Sequence, residues 1–565
     1  MFRGKCFCWK RIDNSLPPEP HSFSLPAPLP DWPPGQGFAS GRINLGEIEV
    51  VKVSRFELVW SCNLSQDKKK GVSFYKPVGV PDGFCSLGHY CQFNNRPLRG
   101  CLVAREVAIP ETEAINFGGS VNSPALKKPL DYTLVWSSYD INKENYDGCG
   151  FFWLSQPPEG YKPLGYLVTD NPDKPSLDEV RCVRADLTDD CQAYRPILTC
   201  YSKFSASPFQ VWSTRPSHRG MLGKGVSVGT FFCSSHWTSG EELSIVCLRN
   251  LNPELHSMPN VEQIHVLINH YGPRVFFHPD EVYLPSSVSW FFKNGAQLYK
   301  AGDSTGEPID VGGSNLPVGE MNDEAFWIDM PSDDHRNTVK FGKLESAKLY
   351  VHVKPAHGGA FTDIAMWLFF PFNGPATLKV GPVNVALTKI GQHLCDWEHF
   401  TLRVCNCTGE LWSVYFSQHS GGKWIEAYDL EYMEGNKPIV YSSKSGHASY
   451  PHPGTYIQGS AKLGIGIRND AARSNLYIDS STHYEIIAAE CIGGGNFIEP
   501  IWLQYMRKWG PRIVYKSRNQ IINRLSMMLR YPVENIFFKL PGELHGEEGP
   551  TGPKEKNNWV GDERG

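Results

Sequence analysis

The chemically reactive side chains of the sequence are concentrated at residues 393–399, which read His-Leu-Cys-Asp-Trp-Glu-His. Two carboxylates, Asp396 and Glu398, lie two positions apart, and imidazoles flank them at His393 and His399. The next residues alternate apolar and polar side chains, which is typical of a half-buried strand. Because alternate residues of a strand share a face, we predict that both acids lie on the core-facing side and that His399 lies on the opposite face.

Carboxylates at the rim of a buried face are costly unless a cation, a basic side chain or several donors compensate them. His393 has the wrong parity to join the two acids in a continuous strand, so a turn or bulge at 393–395 is needed to bring its imidazole round. His393, Asp396 and Glu398 would then form a mixed nitrogen and oxygen ligand set for a divalent cation, with Mg or Ca ahead of Zn or Mn. The spacing alone equally allows the acids to pair with an arginine or to accept hydrogen bonds from a loop.

The composition favours a chain of two or three β-rich domains. A length of 565 residues exceeds one ordinary core, and 53 Gly and 43 Pro indicate many turns. The net charge of −4 comes with no basic stripe, which argues against nucleic-acid binding. No apolar run approaches the ~18 residues that span a bilayer, so no transmembrane segment is expected. Without an apolar leader, we expect a cytoplasmic protein, peripheral at most on endomembranes or the vacuole, with its 16 Cys as thiols.

Residues 41–250 contain an internal repeat. The motif FELVWS recurs as YTLVWS and then as FQVWS, and its tryptophans, Trp60, Trp136 and Trp212, are spaced by 76 residues each time. Single copies of such a unit cannot bury their apolar faces, so three copies would close around a pseudo-threefold axis. We therefore predict a β-prism-like domain in which the three tryptophans are equivalent. Fold analogy suggests sugar or membrane binding for such a domain, and a scaffold without a ligand is the alternative.

The remaining segments frame this repeat. Residues 1–40 are Pro-rich and are predicted to form a flexible arm, in which Cys6 and Cys8 are either acylated or part of a plain terminus. Residues 251–540 are predicted to form a β-sandwich with a few flanking helices. Residues 541–565 are predicted to form a polar Gly/Pro-rich tail that lies on the surface or is disordered.

One helix is predicted at the start of the second domain. Asn260 has the side chain of a helix cap, and Gln263 occupies the matching position of a capping box. Gly272 and Pro273 are expected to end the helix.

Several segments distributed along the chain resemble one family. They are PDGFCSLGHY, PPEGYKPLGYLVTDNPDKPSLDEVRCVRADLTD, FHPDEVYLPSSVSWFFKNGA, DWEHFTLRV, IRNDAARSN and GPTGPKEKNNW. They look like the plant vacuolar protein sorting-associated protein 62 family, which is also carried as a domain of unknown function. The resemblance implies a role in trafficking to the vacuole.

A second resemblance covers residues 362–450 and is to the necrosis-inducing (Nep1-like) cytolysin family. Residues 391–398 are similar to that family's heptapeptide GHRHDWE with one residue inserted. The resemblance implies a β-sandwich, a bound divalent cation and affinity for plant sphingolipid head groups. Its cation-binding acids fall on Asp396 and Glu398, and its first motif histidine falls near His393.

Further positions follow from the same resemblance. Asn373 stands where the family has a liganding aspartate, and Cys395 stands in place of the second motif histidine. His419 and His447 match histidines of two turns of the family. Asn373, His419 and His447, together with His399, are expected to surround the cation or to contact the ligand.

We predict a non-enzymatic, peripheral binding protein that recognises membrane lipid head groups or glycans with the help of a divalent cation, in vacuolar or endomembrane trafficking. One alternative is a trafficking scaffold that binds other proteins and keeps a vestigial metal site. Another is a metal-dependent hydrolase in which Glu398 or His399 acts as general base. No GxSxG, P-loop or HExxH motif supports the hydrolase.

Overall fold

The computed structural model describes residues 21–62, 71–107, 123–140, 148–201, 207–319, 324–387, 389–419, 421–460, 464–490, 497–514, 546–547 and 549–564. The chain is mainly β, as the sequence predicts. Cys6 and Cys8, and with them the predicted acylation, lie outside the described residues.

The first half of the chain consists of short antiparallel strands that pair into three-stranded sheets. The strands are β1 (Arg42–Asn44), β2 (Ile48–Val53), β3 (Phe56–Cys62), β4 (Val72–Pro77), β5 (Tyr90–Phe93), β6 (Cys101–Glu106), β7 (Leu126–Lys127), β8 (Asp131–Ser137), β9 (Phe151–Gln156), β10 (Tyr161–Lys162), β11 (Tyr166–Thr169), β12 (Cys182–Arg184), β13 (Thr188–Asp189), β14 (Cys191–Cys200), β15 (Phe209–Pro216), β16 (Gly225–Val226), β17 (Phe231–Ser234) and β18 (Cys247–Arg249). The sheet orders are β1-β2-β6, β3-β4-β5, β7-β12-β10, β8-β9-β11, β13-β18-β16 and β14-β15-β17.

Three of these sheets, β3-β4-β5, β8-β9-β11 and β14-β15-β17, are copies of one unit. In each copy the first strand carries a β-bulge beside a fully buried residue of the middle strand, and these middle-strand residues are Phe74, Phe152 and Val211. The rings of Phe74 and Phe152 meet with centroids 4.9 Å apart, so neighbouring copies share one aromatic core. The predicted internal repeat is therefore a repeat of structure, whereas its closure into a prism stays a prediction.

The predicted equivalence of the three tryptophans is wrong for Trp212. Trp60 and Trp136 follow the bulge on the first strands of their sheets, but Trp212 lies on the middle strand β15. Leu198 takes the third position, opposite Val211. The FQVWS motif has the right alternation for a strand of this unit, but alternation is the same for a first strand and a middle strand.

The second half of the chain adds further strands and, among the described residues, three α-helices. The strands are β19 (Arg274–Phe277), β20 (Gln297–Lys300), β21 (Glu307–Pro308), β22 (Phe326–Asp329), β23 (Leu349–Ala356), β24 (Phe361–Asn373), β25 (Thr377–Val380), β26 (Val383–Ala386), β27 (His393–Cys405), β28 (Leu411–Gln418), β29 (Gly421–Glu426), β30 (Tyr432–Met433), β31 (Lys437–Ser442), β32 (Ser449–Tyr450), β33 (Gly454–Ser460), β34 (Ile465–Ala471), β35 (Tyr477–Asp479), β36 (Tyr484–Ala489), β37 (Ile513–Val514) and β38 (Gly546–Glu547). The helices are α1 (Val261–Tyr271), α2 (Val288–Lys293) and α3 (His335–Val339).

The central element of this half is a six-stranded sheet with the order β29-β28-β27-β24-β23-β36. Smaller sheets surround it, with the orders β30-β31-β19-β35, β26-β25-β34-β33, β21-β20-β22 and β37-β38. The long strands β24 and β27 pair from Phe361 opposite Cys405 to Asn373 opposite His393. This pairing brings the reactive stretch to one end of the sheet.

The two faces of the six-stranded sheet are covered by different elements. On the inner face, Phe370, Phe400 and Leu402 pack with α1 and with the sheet that contains β19 and β31. On the outer face, Phe369 and Trp397 pack with α2 and with residues 502–509. The alternation of faces predicted for β27 is therefore confirmed, since Phe400 and Leu402 share the side of Asp396.

Helix α1 begins as predicted. The Asn260 side chain accepts a hydrogen bond from the Gln263 amide at 2.9 Å, and the Gln263 side chain accepts one from the Asn260 amide at 2.9 Å. This reciprocal pair satisfies two backbone donors that would otherwise be unbonded at the helix start. Gly272 follows the last helical residue.

The predicted flexible arm is wrong for residues 21–40. The amide of Ala27 donates to Asn436 Oδ1 at 2.8 Å, and Gln263 Nε2 donates to the carbonyl of Pro33 at 2.8 Å. Trp32 packs on the inner-face core. Proline-rich composition indicates an extended backbone, but long-range contacts hold this extended segment on the surface of the second half.

The predicted surface tail is wrong for residues 549–564, which we call the C-terminal strap. Trp559 is 3% exposed and Glu563 is 4% exposed. Lys354, on the outer face of the sheet, donates to the carbonyls of Asn558 and of Gly561, the latter at 2.8 Å. Polar composition predicts a solvated tail, but the polar groups of this segment bond to buried charged side chains of the sheet.

Candidate functional site

A left-handed residue interrupts the reactive end of β27. Cys395 has a φ of 50°, a conformation that is uncommon for residues with a side chain. His393 Nδ1 donates to the Cys395 carbonyl at 2.8 Å across this bend. Burial lowers the pKa of His393, and the charge of Asp396 opposes that shift, so the two side chains interact. The strand continues through 393–395 with a bend at Cys395, and His393 lies within the electrostatic range of Asp396.

Asp396 is buried and paired with His447. Its Oδ2 lies 2.9 Å from His447 Nδ1, and His447 Nε2 lies 3.1 Å from the carbonyl of Tyr283. His447 therefore bridges the Asp396 carboxylate and the backbone of Tyr283. Burial alone would raise the pKa of Asp396, but the hydrogen bond from His447 and the charge of His393 lower it below its usual value.

The pKa of Glu398 is shifted in the opposite direction to that of Asp396. Burial and the neighbouring charge of Asp396 raise the pKa of Glu398 well above its usual value. Ser417 Oγ donates to Glu398 Oε2 at 2.6 Å, which offsets only part of that effect. The two carboxyl groups thus form an unequal pair, with one group ionised and the other inclined to hold a proton.

The loop that carries His447 is clamped by Glu281. Glu281 Oε1 accepts from the Tyr283 amide at 2.8 Å, and Oε2 accepts from the Ser445 amide at 2.6 Å. The His447 ring stacks on Phe370 with centroids 3.8 Å apart. Ser445 and His447 have φ values of 67° and 52°. Backbone strain of this kind persists where surrounding contacts impose it, and it is common at functional sites.

Two other predicted residues line the same region. His419, with a φ of 43°, donates from Nε2 to Asn469 Oδ1 at 3.0 Å. Asn373 Nδ2 donates to the carbonyl of Gly391 at 2.5 Å. An ionised aspartate could not donate in this way, so the amide at position 373 serves to hold the turn that precedes β27.

His399 lies on the outer face, as its parity predicts. Its ring stacks on Trp367 with centroids 4.2 Å apart, and its Nε2 lies 3.0 Å from Glu563 Oε2. Thr401 Oγ1 donates to the other oxygen of Glu563 at 2.6 Å. His399 therefore anchors the C-terminal strap rather than joining Asp396 and Glu398.

Sequence reasoning missed Lys556 of the strap. Burial lowers the pKa of Lys556, and the charges of Asp396 and Glu398 oppose that shift, so its ammonium lies within range of both acids. The segment GPTGPKEKNNW was a family signal in the sequence, and its fixed pattern could have indicated a structural role. Asn469 lies in another such segment, IRNDAARSN, and was also missed.

These groups line a cleft of 920 Å³ at the end of the six-stranded sheet, which we call the sheet-end cleft. Its walls include the predicted residues Asn373, His393, Asp396, Glu398, His399 and His419, together with Trp367, Tyr415, Asn469 and Lys556. His447 lies behind Asp396. Trp60, Trp136 and Trp212 are in or against the aromatic core of the first half, away from this cleft.

The cation prediction stays a prediction. Within the described ranges, no group of three or more His, Cys, Asp and Glu side chains is arranged to hold a metal ion. Each of the two acids already accepts one hydrogen bond from the protein, and Lys556 supplies a nearby positive charge. Two carboxylates are a ligand set that suits a hydrated Mg²⁺, because this ion commonly keeps several waters and takes one or two carboxylate ligands.

Comparison with family models gives one match, which covers residues 19–563 and is described as vacuolar protein sorting-associated protein 62. The chain belongs to this family. A search of curated proteins found no match. No helix in the described part of this family member is long and apolar enough to cross a membrane.

The solved structures that resemble this family member include necrosis-inducing proteins, in agreement with the partial resemblance seen in the sequence. Necrosis and Ethylene inducing Protein 2 from the causal agent of cocoa's Witches Broom disease is 14% identical, with 33% of this chain and 67% of that chain covered and a TM-score of 0.20. NLPPya in complex with glucosamine is 12% identical, with coverages of 42% and 81% and a TM-score of 0.20.

GNIP1Aa from Chromobacterium piscinae is 14% identical with a TM-score of 0.27, and the match covers 39% of this chain and 40% of GNIP1Aa. The chain thus spans less than half the length of that relative. At these identities and TM-scores, the likenesses carry no information on function.

Proposed function

We propose that this protein is a non-enzymatic binding protein of vacuolar or endomembrane trafficking whose sheet-end cleft takes a polyhydroxylated ligand, such as a glycan or the head group of a membrane lipid. Two kinds of support converge on this proposal. The family description refers to vacuolar sorting. The cleft has the size and the convergent polar groups of a small-ligand site.

The observation that carries the proposal is the unequal carboxyl pair. Lowering of the pKa of Asp396 leaves it an acceptor, whereas the raised pKa of Glu398 lets it donate a proton in a hydrogen bond. A sugar hydroxyl both donates and accepts, so adjacent acceptor and donor groups match it. Lys556 adds an ammonium donor at the same place.

A divalent cation fits the proposal as a helper of binding. Asp396 and Glu398 would hold it, and its charge would attract ligand oxygens. Metal ligands must be deprotonated, so a cation has to displace the proton that Glu398 tends to hold. Cation affinity should therefore increase with pH through the raised pKa of Glu398.

The experiment is liposome flotation with and without a chelator, beside a glycan-binding screen, on the wild-type chain and on Asp396→Asn. Loss of capture in the variant supports the proposal, and loss of wild-type capture with chelator supports the helper cation. A matched control is Asp303→Asn, which removes the same charge from an exposed turn. If neither lipids nor glycans are captured, the trafficking-scaffold alternative replaces this proposal.

One observation favours a second candidate, hydrolysis. Pairs of carboxyl groups whose surroundings move their pKa values in opposite directions are typical of general acid–base sites, and Asp396 and Glu398 are such a pair. The metal-dependent version of this candidate would place the cation at the same two acids. Turnover of glycoside or ester substrates that disappears in Glu398→Gln would support it, and absence of turnover across both substrate classes would remove it.

A further inference from the structure

A second concavity lies between the two halves of the chain, away from the carboxyl pair of the sheet-end cleft. It has a volume of 960 Å³ and is bordered by loop 217–224, by the end of β18 and by the C-terminal strap. We call it the basic groove. The loop is held against the strap, because the Met221 amide donates to the Val560 carbonyl at 2.8 Å. The close approach requires Gly220, whose φ is 94° and where an added Cβ would lie 2.5 Å from the Val560 carbonyl oxygen.

The basic groove carries uncompensated positive charge. Two of its three acids are already paired: Asp562 lies 2.8 Å from Arg219 and Glu563 lies 3.0 Å from His399. Lys224, Arg249 and Arg564 line the groove with exposed side chains. None of these three has an acidic group within 4.0 Å among the residues that the structure describes.

Two further groups define the charge balance. Asp189 is the remaining acid of the lining, and it offsets one of the three free cations. Arg215 stands behind the groove, where burial and the charge of Arg219 lower its pKa.

Exposed apolar side chains accompany this charge. Leu222, at the tip of loop 217–224, is 81% exposed, and Val560 of the strap is 50% exposed. The backbone hydrogen bond between Met221 and Val560 ties their segments together. The tip therefore projects from an anchored base. Apolar side chains next to basic ones are the pattern of proteins that lie on a membrane surface.

We propose that the basic groove binds the phosphate of an anionic lipid head group, with Lys224, Arg249 and Arg564 around the phosphate and with Leu222 and Val560 inserted at the membrane interface. The positive charge of the groove complements an anionic leaflet. The exposed apolar side chains at the tip would be buried by contact with the acyl chains of the lipids. The basic groove shares Glu563 and Arg564 with the sheet-end cleft, whereas Lys224 and Arg249 line the groove and not the cleft. The same phosphate chemistry would also accept a free phosphate, so the test separates the two sources.

The experiment is co-sedimentation of the full chain with phosphatidylcholine vesicles that contain or lack phosphatidylserine. The double variant Lys224→Gln/Arg249→Gln should weaken capture by the anionic vesicles about fivefold for each charge removed. Leu222→Ser should weaken capture without changing its salt dependence, because it removes an apolar contact and no charge. The control Lys162→Gln/Lys293→Gln removes the same charge from exposed positions elsewhere and should leave capture unchanged.

The outcomes separate the proposals. Equal weakening by the groove and control variants means that net charge, and not the groove, drives binding, which overturns the proposal. Binding of inorganic phosphate, measured by calorimetry, without capture by anionic vesicles overturns the lipid source. Lys224→Gln/Arg249→Gln should leave glycan binding by the sheet-end cleft unchanged while it weakens vesicle capture, so failure of the cleft function and failure of this contact are distinguishable.

Discussion

Replacement of His447 by glutamine tests whether the cleft depends on a buried charge pair. Asp396 is buried, and its Oδ2 lies 2.9 Å from His447 Nδ1. Removing one partner of a buried pair typically costs about 3–5 kcal/mol, because the other charge is left without compensation. We expect His447→Gln to lower the free energy of unfolding at pH 7 by about that amount.

The pH dependence of this loss has a definite sign. In the wild-type chain the folded pKa of Asp396 is lowered, so its stabilisation is present above its unfolded pKa, about 3.9, and is lost as pH falls. In His447→Gln, burial and Glu398 would instead raise the pKa of Asp396, and the variant would become less stable as pH rises. The difference in stability should therefore grow from about pH 4 to pH 7.

Urea denaturation followed by tryptophan fluorescence at several pH values measures this difference. His419→Gln is the control, because His419 bonds a neutral amide and its loss should cost about 1 kcal/mol. A cost of less than about 1 kcal/mol for His447→Gln, or a cost that does not change with pH, would refute the charge pair. In that case Asp396 would be accessible to water, and the unequal carboxyl pair could not be maintained.

Other predictions address the elements around the cleft. Asp562→Ala should release the C-terminal strap, because Asp562 lies 2.8 Å from both Arg403 and Arg219, and hydrogen exchange of residues 549–564 should increase. The pKa of Asp562 is lowered mainly by Arg403 against its burial, so its stabilisation of the wild-type strap should begin to decline as pH falls below about 4 and be lost only in strong acid, when the folded carboxyl takes up a proton. Gly220→Ala should lower the melting temperature and expose loop 217–224 to proteolysis, because the added Cβ meets a backbone carbonyl at positive φ. Asn373→Asp should cost about 1–3 kcal/mol in urea denaturation, because a carboxylate cannot donate to the carbonyl that Asn373 now holds.

Features set by local pattern were predictable. The face on which Asp396 lies follows from a period of two, which any strand imposes on its side chains. The cap at Asn260 follows from the unbonded amides of a helix start. The internal repeat can be recognised because each copy buries an apolar face with similar residues at similar spacing. The amino-acid sequence is therefore enough to locate its strands.

Features set by distant contacts were not predictable in this way. Trp212 lies in a motif that predicts a first strand, but the position of a strand in its sheet depends on which strands pair. In the third sheet Leu198, and not Trp212, lies on the first strand opposite Val211. The sequence of the strap predicts a solvated tail, because the sequence shows the polar residues of the strap but not the distant residues that bond to them. Lys354 and Arg403, which bind it, are more than a hundred residues away in the sequence.

The same division applies to the candidate site. The sequence by itself determined which side chains could do chemistry at 393–399, that the two acids share a face, and that a bend was needed to bring His393 towards them. Only the tertiary structure decided that His447 rather than His393 bonds Asp396, that His399 anchors the strap, and that Lys556 supplies a charge to the cleft. The physical reason is that periodicity is a property of neighbouring residues, whereas the compensation of a buried charge is set by whichever groups folding brings within a few ångströms.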